Sequence, residues 1–394
     1  MRNIRDRRFV LCLALILGGS SLSAPSQNDQ RQSAITLEQQ GKTPEAEAAW
    51  KTVSKHQPSN PEPYAHLGLL EARQEHYAEA IRFYRKAFAL NPGMPSLRLN
   101  LGLSLFKSGD YKQAIPMFEP LLKSQPDDQR LNVLMGMSYY GLAQYSTASS
   151  YLKRATKTDT QNLTLLLTLA HSCLLSQQYQ CVLDAFHRII ALSPESAEAH
   201  MLAGEALDEM KEPVDAVREL RAAVVANPKE PNVHFGLGYL LWTQGNTQEA
   251  AHEFQAELDN VPEHGLAMLY LADAEIQMNH MEEARPLLEK VVKVNPVNSK
   301  GHLDLGIVYA EAGQQEDALR ELKQAVALKP DDVDAHYRLA RLYRSMGKTA
   351  EAKAEFDKSK SLNKTADEKL LKVMSQVPHR DSGPQGAAAA PAVK

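Results

Sequence analysis

Prolines stand at positions 58, 92, 126, 194, 228, 262, 296 and 330, and each interval is 34 residues except one of 68, whose midpoint is Thr160. Counting from them divides residues 27–366 into ten units: 27–60, 61–94, 95–128, 129–162, 163–196, 197–230, 231–264, 265–298, 299–332 and 333–366. Independent places agree with this frame. The eighth place of every unit is glycine or alanine, from Ala34 and Gly68 to Gly306 and Ala340. The twentieth is alanine in nine of the ten, from Ala46 to Ala352, with Val182 the exception. A chain with this period cannot close around one core, because each short unit must bury its apolar flank against its neighbours.

The content of a unit predicts a helical hairpin. Places 4, 7, 8 and 11 follow the i, i+3, i+4, i+7 spacing of one helix face, as in Tyr64, Leu67, Gly68 and Glu71. Glu71 is polar where an apolar residue is expected. Places 20, 24 and 27 form a second stripe, as in Ala80, Tyr84 and Ala87. At place 15, Gly41, Gly109, Gly245, Asn279, Gly313 and Gly347 tolerate positive φ and can end the first helix. The proline at place 32 stops the second. Small residues at places 8 and 20 let the two helices approach closely.

These residues, as in "HFGLGYLL…AAHEF…VP" and "HLDLGIVYA…DALREL…KP", resemble the tetratricopeptide repeat superfamily across about residues 27–366. The resemblance implies an all-α solenoid of ten repeats wound as a right-handed superhelix. It also implies a concave groove lined mainly by first helices and a role in binding other proteins. Pro116, Pro120 and Pro286 fall inside second helices, where kinks are expected. Residues 367–378 are expected to form a capping helix through Leu370, Val373 and Met374, and the small, Pro/Gly-bearing tail 379–394 to be disordered.

The N-terminus follows different rules. Residues 1–24 carry Arg2, Arg5, Arg7 and Arg8, then an apolar run from Phe9 to Leu17, then small residues to Ser23 and Ala24. This layout reads as a cleaved secretory signal, with an uncleaved membrane anchor as the alternative, and the run is short for a bilayer span. The expected location is therefore exported, periplasmic or secreted, with no stable membrane insertion after cleavage. Beyond Ala24 the chain carries 40 basic and 47 acidic side chains, which argues against nucleic-acid binding.

No common catalytic motif is complete in the sequence. "HEFQA" at His252 has Ala256 where a zinc-protease helix needs its second histidine, and Gly236-Leu237-Gly238 has Leu241 where a dinucleotide loop needs a third glycine. His200, His234, His302 and His336 all hold place four. Equivalent places in neighbouring units lie at least a helix-packing distance apart, about 8–10 Å, too far to share one metal ion. Each is expected to be a half-buried packing residue. No catalytic residue, cofactor or metal site is assigned. Cys173 and Cys181 lie opposite each other near one hairpin turn, either as a disulfide or as two free thiols, with Cys181 facing outward in the second case.

In the resembled family, places 2, 5, 9 and 12 of first helices tend to line the concave face. Here they offer Leu99, Leu103 and Phe106, then Val133, Met137 and Tyr140, then Leu167, His171 and Leu174. Phe235, Tyr239 and Trp242 follow, then Leu269, Ile276, Leu303 and Ile307, while Glu198, Glu205 and Asp208 around Met201 interrupt the apolar series. An exposed apolar series of this extent marks an interaction surface. The expected partner is a protein or peptide segment with apolar anchors; packing of these side chains on one another and self-association are the alternatives. The chain reads as a non-enzymatic interaction scaffold. A chaperone-like periplasmic assembly factor for an envelope machine is a narrower alternative, and a hydrolase or transferase with an unrecognised groove site a distant one.

Overall fold

The computed structural model describes residues 27–94 and 96–376, with side chains through Thr365. The expected signal at 1–24 and the expected disordered tail at 379–394 lie outside the described residues. Among the described residues the chain is all-α and divides into two compact units, 1–165 and 166–394. The first holds α1 (Gln27–Gln39), α2 (Thr43–His56), α3 (Pro61–Arg73), α4 (Tyr77–Leu90), α5 (Leu97–Lys107), α6 (Tyr111–Ser124), α7 (Gln129–Gly141) and α8 (Tyr145–Thr158). Helix α9 (Leu163–Leu175) enters the second unit at Leu166. That unit continues with α10 (Tyr179–Leu192), α11 (Ala197–Glu209), α12 (Pro213–Ala226), α13 (Val233–Thr243), α14 (Thr247–Asn260), α15 (Gly265–Gln277), α16 (Met281–Val294), α17 (Ser299–Glu311), α18 (Gln315–Leu328), α19 (Val333–Ser345) and α20 (Thr349–Gln376). Two helices thus form each 34-residue unit, as the period predicts.

In the six hairpins with glycine at place 8, the large side chain at place 24 of the second helix seats on that glycine of the first. A Cβ added to Gly68 would lie 2.7 Å from the Tyr84 ring, and one added to Gly238 would lie 2.9 Å from Phe254. Tyr84 and Phe254 are almost wholly buried, and the place-20 alanines from Ala46 to Ala318 are fully so. Burying such a ring contributes about 2–3 kcal/mol.

The turns are more uniform than the sequence. All ten place-15 residues have positive φ, including Glu75, Ala143, Gln177 and Lys211 at φ 56 to 65°. The helix pair imposes the left-handed turn whether or not glycine is there. Place 34 supplies the next constraint, because its side chain caps the following first helix: Asp128 accepts the N–H of Leu131 at 2.9 Å, and Asn298 that of Gly301 at 2.8 Å. Met94 and Glu230 hold that place in two units, and after each the next helix starts late, at Leu97 and Val233, behind left-handed Ser96 and Asn232.

α6 and α16 run unbroken through Pro116, Pro120 and Pro286, all on exposed faces where water can take the freed carbonyls. Of the expected capping helix at 367–378, residues 367–376 are helical and continue α20, past Lys364 at the place that eight units fill with proline. Among the described residues, no helix is long and apolar enough to cross a membrane.

Candidate functional site

The second unit gathers aromatic side chains from α13 and α15. Phe235, Tyr239 and Trp242 follow one another on α13, with ring centroids 6.2 Å and 6.1 Å apart. Tyr270 of α15 stands edge-on to Tyr239 at 5.2 Å and to Trp242 at 5.1 Å. Such pairs are worth about 0.5–1.5 kcal/mol beyond the area they bury. Phe235, Trp242 and Tyr270 lean on the core, whereas Tyr239 is 38% exposed. Tyr270, at place six, was missed in the sequence because only places 2, 5, 9 and 12 were read as surface.

A charged chain fixes this surface from behind. Trp242 Nε1–H donates to Asp273 Oδ2 at 2.8 Å, and Gln277 donates to the same oxygen at 2.6 Å. Lys300 of α17 donates to Asp273 and lies 3.1 Å from Asp304, whose Oδ2 is buried without an aligned hydrogen bond. Desolvation pushes the Asp304 carboxyl up to about 7, against the pull of Lys300. Desolvation works against the Lys300 ammonium too, but Asp304 and Asp273 together hold it above its usual value. Burial also raises the Tyr270 hydroxyl.

Helix α13 lacks a capping side chain, and a buried residue of α14 replaces it. Glu257, fully inaccessible, accepts the N–H of Asn232 at 3.0 Å and that of Phe235 at 3.2 Å. Beside this helix end a cleft of about 600 Å³ opens among α9, α11 and α13, with Leu174, Met201, Phe235 and Tyr239 in its wall. Glu205, Asp208 and Glu209 also line it. Desolvation by these walls raises the Glu205 carboxyl, and His171 opposes the rise.

The other predicted surface residues are distributed as follows. Leu99, Leu103, Phe106, Val133, Met137 and Tyr140 are half-buried in the first unit, the first three packed on its core, and Phe106 lies edge-on to Tyr111 at 5.5 Å. Leu167 packs on Leu166, Ile189 and Ala199 in the second unit, and His171 Nε2 lies 2.7 Å from Glu198. Leu269, Leu303 and Ile307 are buried, which corrects the expectation that they line a groove.

The place-four histidines are more than packing residues. His200, His234, His302 and His336 each meet a glutamate nineteen residues on, at 2.9, 2.6, 2.7 and 2.5 Å, tying the two helices of one hairpin. The rings of His302 and His336 also lie 3.0 Å from the carbonyls of Pro296 and Pro330. Among the described residues, no group of three or more ligating side chains is placed to hold a metal ion. Cys173 and Cys181 form a disulfide joining α9 to α10 with Cα atoms 5.8 Å apart, and both are buried, so Cys181 does not face outward.

Models described as tetratricopeptide repeat match residues 32–95, 71–137, 183–231, 212–265, 235–299, 269–322 and 333–365, and one described as TPR repeat matches 306–347. A model of anaphase-promoting complex, cyclosome, subunit 3 matches 107–189. Among solved structures, MamA from Desulfovibrio magneticus is 23% identical over 43% of this chain and 97% of its own, with a TM-score of 0.40. YrrB, titled a TPR protein with an unusual peptide-binding site, is 20% identical over 49% and 98%, with a TM-score of 0.41. The APC/C hetero-tetramer Cut9-Hcn1 gives 15% identity over 80% and 67%, with a TM-score of 0.46. No curated protein matches the chain.

Proposed function

Because the chain belongs to the tetratricopeptide repeat family, we propose that it is an interaction scaffold without catalytic chemistry, which binds a protein or peptide segment carrying apolar anchors. The docking surface is the first-helix face around Phe235, Tyr239 and Trp242. One observation carries this reading: Tyr239 stays exposed while its aromatic neighbours and the Asp273 hydrogen bond hold the surface rigid beside an open cleft. A rigid aromatic anchor loses little entropy on binding, which is why such residues dominate interface energies. The arginine-led apolar leader supports placing the protein outside the cytoplasm, where the Cys173–Cys181 bond is chemically at home.

The test is photo-crosslinking in the producing cell, with the probe at Tyr239 and, in a second strain, at Val214, which is 81% exposed on a second helix. Docking on the first-helix face yields one discrete adduct from position 239 and none from 214. Equal adducts from both positions, or none from 239, sink the reading.

A further inference from the structure

The cleft beside the aromatic surface combines two chemistries. Leu174, Met201, Phe235 and the Tyr239 ring give it apolar walls. Glu205, Asp208 and Glu209 place three carboxylates in the same lining, which holds neither lysine nor arginine. Among the described residues these three carboxylates make no hydrogen bond or ion pair, whereas Glu198, on the same helix, is engaged by His171 at 2.7 Å. Glu205 stands at place nine, which neighbouring repeats fill with His171 and Tyr239.

Resting on the docking reading above, we propose that this cleft takes an arginine of the partner segment next to an apolar anchor. The guanidinium is matched to carboxylates by charge and by its forked donors, and it stacks on aromatic faces such as Tyr239. The apolar neighbour covers Leu174, Met201 and Phe235 and removes water from the ion pairs, which strengthens them.

Three labelled peptides test this: a short one with arginine between leucine and phenylalanine, and counterparts with glutamine or glutamate in place of arginine. Binding is read by fluorescence anisotropy on the intact protein and on the variant Glu205→Gln/Asp208→Asn/Glu209→Gln, whose melting curve checks its fold. The wild type should prefer the arginine peptide over the glutamine one by about tenfold and lose that preference as salt rises. The variant should bind both equally, at the level of the glutamine peptide on wild type. Equal binding of the two peptides by wild type overturns the inference, as does a preference that survives in the variant. If only the charge preference is missing while Tyr239→Ala still abolishes glutamine-peptide binding, the docking surface stands and its cation specificity falls. If no peptide binds, the inference is overturned, and the docking surface then depends on the crosslink at position 239 alone.

Discussion

Glu257 of α14 reaches across its hairpin to accept the backbone N–H of Asn232, the left-handed residue at which α13 begins. Its other oxygen accepts from Phe235. A buried carboxylate therefore stands in for the missing cap and also anchors the first aromatic of the proposed docking surface. Glu257→Ala would leave two N–H groups without acceptors, at a cost of about 3 kcal/mol, while Glu257→Gln keeps an acceptor and should cost about 1 kcal/mol. Urea unfolding followed by circular dichroism reads the difference. Equal losses would mean that the carboxylate is filling space and not capping.

His302 and Glu321 pose a different question, because the equivalent pair in the repeat before is Met268 and Leu287. Glu321→Leu alone strands the buried Nδ1 of His302 and should cost about 3 kcal/mol, and His302→Met about half that, because Arg320 still donates to Glu321 at 2.9 Å. The double variant copies the neighbouring repeat and should recover to within about 1 kcal/mol of wild type. Additive losses in the double-mutant cycle would refute the coupling.

Ala143 and Lys211 occupy the left-handed turn position at φ 56° and 65°. Side chains there cost about 1–2 kcal/mol, partly offset in glycine by the greater freedom of the unfolded chain. Ala143→Gly and Lys211→Gly should each stabilise by about 1 kcal/mol, raising the melting temperature. Gly245→Ala should do the reverse. An added Cβ at Gly245 meets nothing within 4 Å, so any loss there is purely backbone strain.

Asp304 links stability to pH. Desolvation by burial pushes its folded carboxyl up from the ordinary 3.8 to about 7, against the pull of Lys300 and with Asp273 and Asp334 adding negative charge nearby. Between those values the folded protein holds a proton that the unfolded chain has released, so this contribution falls as pH rises through about 7. Asp304→Asn removes the dependence, while Asp273 remains to pair with Lys300. The variant should therefore gain stability relative to wild type from about pH 4 to pH 7, as measured by urea midpoints. A constant difference across that range would show that Asp304 does not carry the linkage.

How far the sequence could be read depended on how local each signal was. The place-8 glycines, the place-20 alanines and the stop prolines repeat at fixed intervals, so the close approach of the two helices at Gly68 and Ala80 was legible from spacing alone. Phe235, Tyr239 and Trp242 were legible as one face of one helix. Tyr270 and Glu257 were not, because each acts on a helix other than its own. Leu269 and Leu303 were misplaced for the same reason: their places look outward on an isolated hairpin, and burial comes from the rest of the stack.

The sequence by itself determined the period, the helical hairpin, the close approach of its helices at places 8 and 20 and the all-α class. Those follow from short-range sterics repeated every 34 residues. Only the tertiary structure decided which polar groups meet: Glu257 with the start of α13, His302 with Glu321, and Asp273 between Trp242 and Lys300. Only it set left-handed turns at Glu75, Ala143, Gln177 and Lys211, residues with no preference for them. A buried polar group must find a partner somewhere, but where it does depends on how helices lie across one another in space. The period states the fold; the packing chooses the site.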